Sequence, residues 1–227
     1  MQNLALFDLD HTLLPLDSDY EWGKFLTQVL PRSGEVNAQE FSRRNSEYFL
    51  QYQHGSLDPV AYLEFALGTL AHFPRAQLDA WHAQFMQEVI QPALLAPAFE
   101  IIKQHQEQDD LVAIITATNR FVTEPIATAL GIKHLMAAEP ELDQSGNITG
   151  KLYGVPSSGI GKVVHLQAWL KQHGKDMRDF PKTYFYSDSH NDIPLLSIVS
   201  HPIATNPSTT LLAHAEKKAW TLLYLFK

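Results

Sequence analysis

The chain contains no cysteine among its 227 residues. This absence excludes a disulfide framework, a thiolate metal site and a cysteine nucleophile. No apolar run approaches the roughly 20 residues that a membrane-spanning helix needs. The first residues also lack the basic-then-apolar layout of a signal peptide, because acidic residues begin at Asp8. We therefore expect a cytoplasmic protein without a membrane partner.

Positive charge is also scarce in this chain. Lysine and arginine together number 17, against 25 aspartate and glutamate residues, so the formal net charge is -8. A nucleic acid or an anionic membrane surface would favour a basic face, so we expect neither as a partner. The content of 45% hydrophobic and 19% charged residues is typical of a packed interior. The length allows one large domain, or a core with a smaller inserted one.

Short apolar runs alternate with helical patterns along most of the chain. The sequence predicts strands at residues 4–7, 111–116, 135–138, 183–186, 202–205 and 220–224. It predicts helices at residues 119–130, 162–173, 192–198 and 208–218, and a hairpin within residues 141–154. Because strands alternate with helices, we predict an α/β fold whose mainly parallel sheet is covered on both faces.

One long stretch interrupts this alternation. From about residue 20 to residue 91, apolar side chains recur at helical spacing and no convincing strand is present. We therefore predict that residues 16–93 form a helical insertion. Residues 1–15 and 94–227 would then form a single Rossmann-like catalytic core.

Two acidic side chains follow the first predicted strand. Asp8 and Asp10 are separated by one leucine, so they would share one face if the strand continued. They would also lie at the carboxyl end of the sheet, where α/β proteins bind ligands. Two carboxylates held this close repel each other unless a cation or a shared proton intervenes. Taken alone, such a pair is more often a solvated strand end.

Two further junctions carry groups suited to an anion. Thr116 ends the second predicted strand, and Ala117 leads into a helix start where a hydroxyl and free N–H groups would suit a phosphate oxygen. An ordinary helix cap explains the same pattern. Lys162 begins a predicted helix, where a cation opposes the helix dipole unless it meets an anion. A solvated surface lysine is the competing interpretation.

The strongest downstream signal is the run Ser187-Asp188-Ser189-His190-Asn191-Asp192, which joins a strand to a helix. Asp188 and Asp192 could present carboxylates toward the end of the sheet that carries Asp8 and Asp10. Four carboxylates in one place would need a metal ion. An all-oxygen ligand set without cysteine favours a hard cation, Mg²⁺ above others.

These motifs, in their order and spacing, resemble those of the haloacid dehalogenase superfamily, in particular its branch of phosphoserine-phosphatase-like and histidinol-phosphatase-like proteins. The resemblance rests on Asp8-Leu9-Asp10-His11-Thr12-Leu13, Thr116, Lys162 and the run that begins at Ser187. Ala204-Thr205-Asn206-Pro207 also resembles that branch. Phosphoserine phosphatases usually carry Gly-Asp-Gly where this chain has Ser187-Asp188-Ser189, so the resemblance does not extend to phosphoserine as the substrate. The helical insertion resembles the first cap type of the superfamily.

The resemblance implies an Mg²⁺-dependent phosphomonoester hydrolase that acts through an aspartyl-phosphate. Asp8 would attack phosphorus, and Asp10 would protonate the leaving alcohol and then activate water. Mg²⁺ would be held by Asp8, by the backbone carbonyl of Asp10 and by Asp188, with Asp192 and Asn191 in support.

The resemblance also implies that Thr116, Ala117 and Lys162 bind the phosphoryl oxygens. The partner would be a small phosphorylated metabolite. Asp19 and Trp22, tethered near the site by a short linker, are candidates for substrate selection. Because the linker and the whole chain are acidic, we expect a phosphorylated amino alcohol such as histidinol phosphate or a phosphoserine-like compound.

Two alternatives remain open at the level of sequence. A phosphotransferase or mutase could use the same aspartyl-phosphate. A receiver-type signalling domain also combines acidic residues, a hydroxyl residue and a lysine, although a helical cap has no purpose there. The sequence does not indicate an oligomeric state.

Overall fold

Strand β1 (Leu4–Phe7) lies at the centre of a seven-stranded sheet in the computed structural model, which describes residues 2–34 and 36–226. The other strands are β2 (Leu111–Asn119), β3 (His134–Leu142), β4 (Ile148–Tyr153), β5 (Thr183–Ser187), β6 (His201–Thr205) and β7 (Thr221–Leu223). Their order across the sheet is β4-β3-β2-β1-β5-β6-β7. All neighbouring strands are parallel except β3 and β4. The predicted α/β fold with a mainly parallel sheet is confirmed.

The central strand is apolar because both faces of the sheet are covered. Ala5 and Phe7 pack into one hydrophobic core, while Leu4 and Leu6 pack into a second core on the opposite face. All four side chains are fully buried. Alternate residues of a strand point to opposite faces, so one short run contributes to both cores.

Helices α1 to α5 fill the predicted helical insertion. They are α1 (Ser18–Ser33), α2 (Ala38–Gln53), α3 (Pro59–Leu70), α4 (Arg75–Phe85) and α5 (Gln91–Ala93), with a π-helical turn at Met86–Ile90. The side chains of Asp17, Asn37 and Asp58 accept backbone N–H groups at the starts of α1, α2 and α3. The boundaries of the insertion remain a prediction, and Glu35 lies outside the described residues.

The remaining helices cover the sheet. They are α6 (Ala96–Glu107), α7 (Arg120–Ala129), α8 (Ile160–Gln172), α9 (Ile193–Leu196) and α10 (Thr209–Lys218). Helix α6 was not predicted. Helix α9 is shorter than predicted, because His190–Asp192 form a separate 3₁₀ turn before it. In the described part of the chain, no helix combines the length and the apolar character that crossing a membrane requires.

Strands β3 and β4 form the predicted hairpin, whose turn is closed by a hydrogen bond from Asp143 N to Asn147 O of 2.9 Å. Strand β4 packs against α3, so the hairpin joins the helical insertion to the sheet. The contact is close at Gly150, where a Cβ would lie 3.2 Å from the Cα of Gly68.

Candidate active site

Lys162 is the central cation of the site at the carboxyl end of β1. Its ammonium nitrogen lies 2.8 Å from Asp8 Oδ1 and 2.6 Å from Asp192 Oδ2. The lysine side chain is 2% exposed, so the interpretation of Lys162 as a solvated surface residue is wrong. Burial alone would lower the pKa of Lys162, but the carboxylates of Asp192 and Asp8 outweigh it and raise that pKa.

Asp192 is held between the lysine and the strand that precedes it. Ser187, the last residue of β5, donates its hydroxyl to Asp192 Oδ2 at 2.7 Å. Ser189 N in turn donates to Ser187 Oγ at 3.1 Å. These hydrogen bonds connect Lys162 through Asp192 to Ser187 at the end of β5, and they hold the lysine in position.

Asp10 lies in a turn and not on a strand. Strand β1 ends at Phe7, and the N–H groups of Leu13 and Leu14 both donate to the carbonyl of Leu9. His11 has a φ of 56°, in the left-handed region. The expectation that Asp8 and Asp10 share a face of a continuing strand is therefore wrong; the turn brings both side chains to the same cavity.

Both carboxyl oxygens of Asp10 are oriented by donors. Oδ1 accepts a hydrogen bond from Ser18 N at 2.7 Å, and Oδ2 accepts one from the Thr118 hydroxyl at 2.9 Å. Burial raises the pKa of Asp10 to about 6, with the charge of Asp17 acting in the same direction. A carboxyl group whose pKa lies close to neutrality can donate a proton and later accept one.

Asp188 is anchored through its backbone. Its N–H donates to Thr12 Oγ1 at 3.1 Å, and its carbonyl accepts from Ser208 N at 2.9 Å. Burial, followed by the charges of Asp8 and Asp192, raises its pKa well above the usual range. Burial likewise raises the pKa of Asp8 to about 7.

Carboxyl groups outnumber cations in this site. Burial raises the pKa values of Asp8 and Asp188, the charges of neighbouring carboxyl groups act in the same direction, and the ammonium of Lys162 opposes them. A divalent cation among these oxygens would lower the raised pKa values, so the donor set fits Mg²⁺. Within residues 2–34 and 36–226, no three acidic, cysteine or histidine side chains converge on one metal position. The predicted ligand set needs only two carboxylates, because its third ligand is a backbone carbonyl.

The predicted phosphate-binding residues reach the same cavity. Thr116, Ala117 and Lys162 all line it. Thr116 does not end its strand, because β2 continues to Asn119, whose side chain then caps α7 by accepting from Val122 N. Thr116 Oγ1 accepts a hydrogen bond from Thr118 N at 3.2 Å, which holds the hydroxyl toward the loop.

The helical insertion covers this end of the sheet and encloses a cavity of about 260 Å³. Its wall on the insertion side is acidic and aromatic, and it includes Asp17, Asp19, Tyr20, Asn45, Tyr48, Phe49, Tyr52 and Tyr62. On the core side, Asn191 also lines the cavity.

Asp19 lies deep in this wall, whereas Trp22 does not reach the cavity. Burial raises the pKa of Asp19 to about 8, and the Tyr62 hydroxyl donates a hydrogen bond to its carboxyl group. Trp22 is 3% exposed, and its ring packs 5.2 Å from Phe85 and 5.7 Å from Phe121 between ring centres. The structure thus corrects the predicted placement of Trp22, which packs in the core.

Several residues of the site were not predicted from the sequence. Thr118 and Ser18, which orient Asp10, and Tyr62, which contacts Asp19, were not predicted. Asp17 was also missed, although its position just before a helix is typical of an N-cap residue. No local pattern indicates Tyr62, because it comes from a different helix of the insertion.

Comparison with known proteins identifies the family of this chain. A family model for haloacid dehalogenase-like hydrolases matches residues 5–197, which is most of the chain. The chain belongs to the haloacid dehalogenase-like hydrolase family. The predicted superfamily membership is therefore confirmed, and the receiver-type alternative is overturned.

Similar proteins support the prediction that this protein is a phosphatase. A histidinol-phosphatase of Neisseria meningitidis serogroup C (strain 8013) is 38% identical over 223 residues, which cover 98% of this chain and 99% of that protein. A phosphoserine phosphatase of Mycobacterium tuberculosis (strain ATCC 25618 / H37Rv) is 27% identical over 96% of this chain and 69% of that protein. The prediction that this haloacid dehalogenase-like hydrolase is a phosphatase is confirmed.

Two solved structures share the fold. A Bordetella pertussis Tohama I protein of unknown function is 46% identical, with a TM-score of 0.93 over 100% of both chains. A substrate-bound phosphoserine phosphatase has a TM-score of 0.68 at 18% identity, covering 98% of this chain and 93% of that one. At that identity the second likeness supports the fold alone.

Proposed function

We propose that this phosphatase hydrolyses a small phosphomonoester through an aspartyl-phosphate on Asp8. The observation that carries the proposal is the buried contact of Lys162 with Asp8 and Asp192 beside a separately oriented Asp10. Asp8 Oδ1 is held by the lysine, and the other carboxylate oxygen is the one proposed to form the bond to phosphorus. The bond between phosphorus and the leaving oxygen breaks as this bond forms.

Asp10 is the proposed general acid and base. Its proton passes to the leaving alcohol, and its carboxylate then removes a proton from the water that attacks the aspartyl-phosphate. The donors Ser18 and Thr118 keep the carboxyl group in one orientation through both steps. Thr116 and Lys162 line the cavity where the phosphoryl oxygens would lie, and the lysine offsets charge in the transition state.

Mg²⁺ is the proposed cofactor, held by Asp8, the backbone carbonyl of Asp10 and Asp188. When bound, the ion would neutralise phosphoryl charge and keep the carboxylates of Asp8 and Asp188 ionised. Asp192 supports this arrangement by holding Lys162, and Asn191 lines the cavity next to it.

The roles of the two aspartates can be separated by substitution. Asp8→Asn should abolish turnover of p-nitrophenyl phosphate, because an amide does not form the acyl-phosphate. Asp10→Asn should slow turnover by about 10²–10⁴-fold and let phosphoenzyme accumulate. Intact-mass spectrometry would detect the added phosphoryl group, and hydroxylamine should release it if it is an acyl-phosphate.

The matched control is Asp176→Asn, an exposed aspartate that caps a surface turn and that asparagine can replace as a cap. It should leave turnover unchanged. Near-normal kcat in Asp8→Asn would contradict the nucleophile assignment. An added alcohol that accepts the phosphoryl group faster than water would favour the phosphotransferase or mutase alternative.

The proposed substrate is a phosphorylated amino alcohol without a carboxylate, with histidinol phosphate as the first candidate. Asp17 and Asp19 line the cavity, and burial raises the pKa of both carboxyl groups. A bound ammonium group would lower those pKa values, so binding an amine is favoured. Among the cavity-lining residues in the described part of the chain, Lys162 is the only lysine or arginine. A substrate carboxylate would therefore meet acidic groups and no free cation.

The aromatic side chains of the same wall suit a flat ring. Tyr20 and Phe49 stack with their ring centres 3.9 Å apart, and Tyr48 meets Tyr62 edge-on. Such a surface can pack against an imidazole or attract its cationic form. The similar Neisseria protein is a histidinol-phosphatase, which agrees with this choice.

Substrate pairs that differ in one group test this proposal. Asp19→Asn and Asp17→Asn should lower kcat/KM for histidinol phosphate at least about tenfold more than for its analogue without the amine. Asparagine still caps α1 at position 17, so the helix start is kept. An equal loss on both substrates would contradict charge selection by these residues. Higher kcat/KM for phosphoserine than for histidinol phosphate would contradict the argument that a substrate carboxylate meets no free cation in the cavity.

A further inference from the structure

Asn206 joins three separate segments of backbone. Its side-chain Nδ2 donates to the carbonyl of His11 at 2.9 Å. Its Oδ1 accepts hydrogen bonds from Leu225 N at 2.8 Å and from Phe226 N at 3.3 Å. Its own backbone N–H donates to Leu223 O at 2.8 Å. The residue therefore ties the segment after β7 to the turn that carries Asp10.

Both ends of this contact have unusual backbone conformations. Asn206 has a φ of 46° and His11 has a φ of 56°, so both lie in the left-handed region. Asparagine tolerates this region better than most residues that carry a side chain. The N–H of His11 donates to Leu16 O at 3.2 Å and its carbonyl accepts from Asn206, so both backbone polar groups of His11 have a partner.

The same segment also reaches the second acidic loop. Ser208 N, two residues after Asn206, donates to the carbonyl of Asp188 at 2.9 Å. Asp188 N donates in turn to the Thr12 hydroxyl at 3.1 Å. The segment 206–208 thus contacts the turn after β1 and the loop after β5, which also contact each other.

We propose that Asn206 is a positioning residue that sets the distance between the Asp10 turn and the Asp188 loop, and that residues 225–226 orient its amide. The inference rests on the roles proposed above for Asp10 and Asp188. Asn206 touches neither carboxylate; it acts through the carbonyl of His11 and through the chain that leads to Ser208.

The segment after β7 explains why the amide points one way. Two N–H groups converge on one side of the Asn206 side chain, so that side must be the oxygen, and the NH₂ group then faces His11. Without residues 225 and 226, the amide can rotate and the carbonyl of His11 loses its donor. A displacement of about 1 Å in a catalytic group can cost about 10²-fold in rate.

Two variants test separately the donor and the acceptor side of the Asn206 amide. Asn206→Asp keeps an acceptor for Leu225 and Phe226 and tolerates the positive φ, but it loses the donor to His11. Truncation after Tyr224 keeps the NH₂ group of Asn206 but removes the two N–H groups that orient it toward His11. The matched control is Asn147→Asp, since the Asn147 side chain also accepts a backbone N–H, that of Arg75, in a hairpin turn away from the cavity.

Both test variants should lower kcat for p-nitrophenyl phosphate at saturating Mg²⁺ by about 10-fold to 10²-fold, with little change in KM. In metal-free protein, amide hydrogen exchange should rise within residues 9–14 and 187–192 while the hairpin at residues 143–147 stays unchanged. In Asn147→Asp, exchange should rise at residues 143–147 and stay unchanged within residues 9–14 and 187–192. Its kcat should equal that of the parent protein.

The inference is overturned if Asn206→Asp matches the control in both kcat and exchange. It is also overturned if exchange rises uniformly and the lost kcat is recovered after correction for the folded fraction at the assay temperature. The exchange measurement needs no turnover, so it decides the positioning role even if no phosphoenzyme forms and the proposed mechanism fails.

Discussion

Single residues of this protein show how burial changes the chemistry of a carboxyl group. Asp19 is 7% exposed, and burial raises its pKa to about 8, with the charges of Asp17 and Asp10 acting in the same direction. The hydrogen bond that it accepts from Tyr62 offsets this rise in pKa only in part. In the folded protein the carboxyl group therefore holds a proton at a pH where it would be ionised in the unfolded chain.

The raised pKa of Asp19 makes stability depend on pH in a defined direction. Its contribution is fully present below the unfolded pKa of 3.8 and is lost as pH rises through about 8. Asp19→Asn should therefore become more stable relative to the parent as pH rises from 5 to 8. The difference should grow by at most about 1.4 kcal/mol for each pH unit.

Urea unfolding at several pH values between 5 and 9 measures this difference. Asp109→Asn is the control, because Asp109 is exposed and asparagine tolerates its φ of 56°. The difference between that control and the parent should stay constant over the same range. A pH-independent difference for Asp19→Asn would show that its pKa is not raised.

At the scale of elements, the helical insertion contacts the sheet through the β3–β4 hairpin. Strand β4 is antiparallel to β3 and lies at the edge of the sheet, where it packs against α3. Gly68 on α3 and Gly150 on β4 allow the two backbones to approach closely. This contact holds α3, which carries Tyr62, over the cavity.

Alanine substitutions at two glycines of the hairpin distinguish the stability cost of backbone strain from that of steric contact. Gly150 has a φ of 90° and would place a Cβ 3.2 Å from Gly68 Cα and 3.3 Å from Ala71 Cβ. Gly146 has a φ of 82° and open space around it. Both alanine variants carry the cost of a positive φ, about 1 kcal/mol. Gly150→Ala should cost about 1–3 kcal/mol more, because it also overpacks the helix contact.

Thermal or urea unfolding of the two variants gives the difference directly. Gly150→Ala should also raise KM more than Gly146→Ala does, because α3 is displaced from the cavity. Equal destabilisation of the two variants would mean that the hairpin yields to the added methyl group without moving the helix.

At the scale of the whole molecule, the charge distribution favours a bound cation. The chain carries a formal charge of -8, and the buried Lys162 contacts two carboxyl groups, those of Asp8 and Asp192, in a cavity that Asp10 also lines. Burial and the charges of neighbouring carboxyl groups raise the pKa values of Asp8 and Asp188, so the metal-free fold buries these two groups at a cost in stability. A ligand that binds only the folded state then stabilises it.

We expect Mg²⁺ to raise the melting temperature in the absence of substrate. At about 100 times its Kd, a ligand adds about 2.7 kcal/mol, which corresponds to about 5–10 °C for a chain of this size. Differential scanning fluorimetry with a Mg²⁺ titration at constant ionic strength measures the shift. Asp188→Asn should reduce it, whereas the exposed Asp109→Asn should keep it. A shift of the same size in both variants would place the ion elsewhere.

The amino-acid sequence by itself determined the strand order along the chain, the α/β class and the residues of the acidic motifs. These features depend on residues that are close in the chain: an apolar run such as Leu4–Phe7 indicates a strand that is covered on both faces. The run around Asp188 was also predicted from a local pattern, because it joins a predicted strand to a predicted helix. Local pattern and turn chemistry are present in a short window of residues.

Only the tertiary structure decided which side chains meet. Lys162 is 154 residues from Asp8 in the chain, yet the two lie in hydrogen-bond contact, and sequence alone could not separate this lysine from a solvated one. Trp22 was expected at the cavity but packs with aromatic residues, because the rotation of α1 turns Asp19 toward the site instead. Asn206 acts through contacts with residues far away in the chain. Such pairings depend on how helices and strands pack, and no local window contains that information.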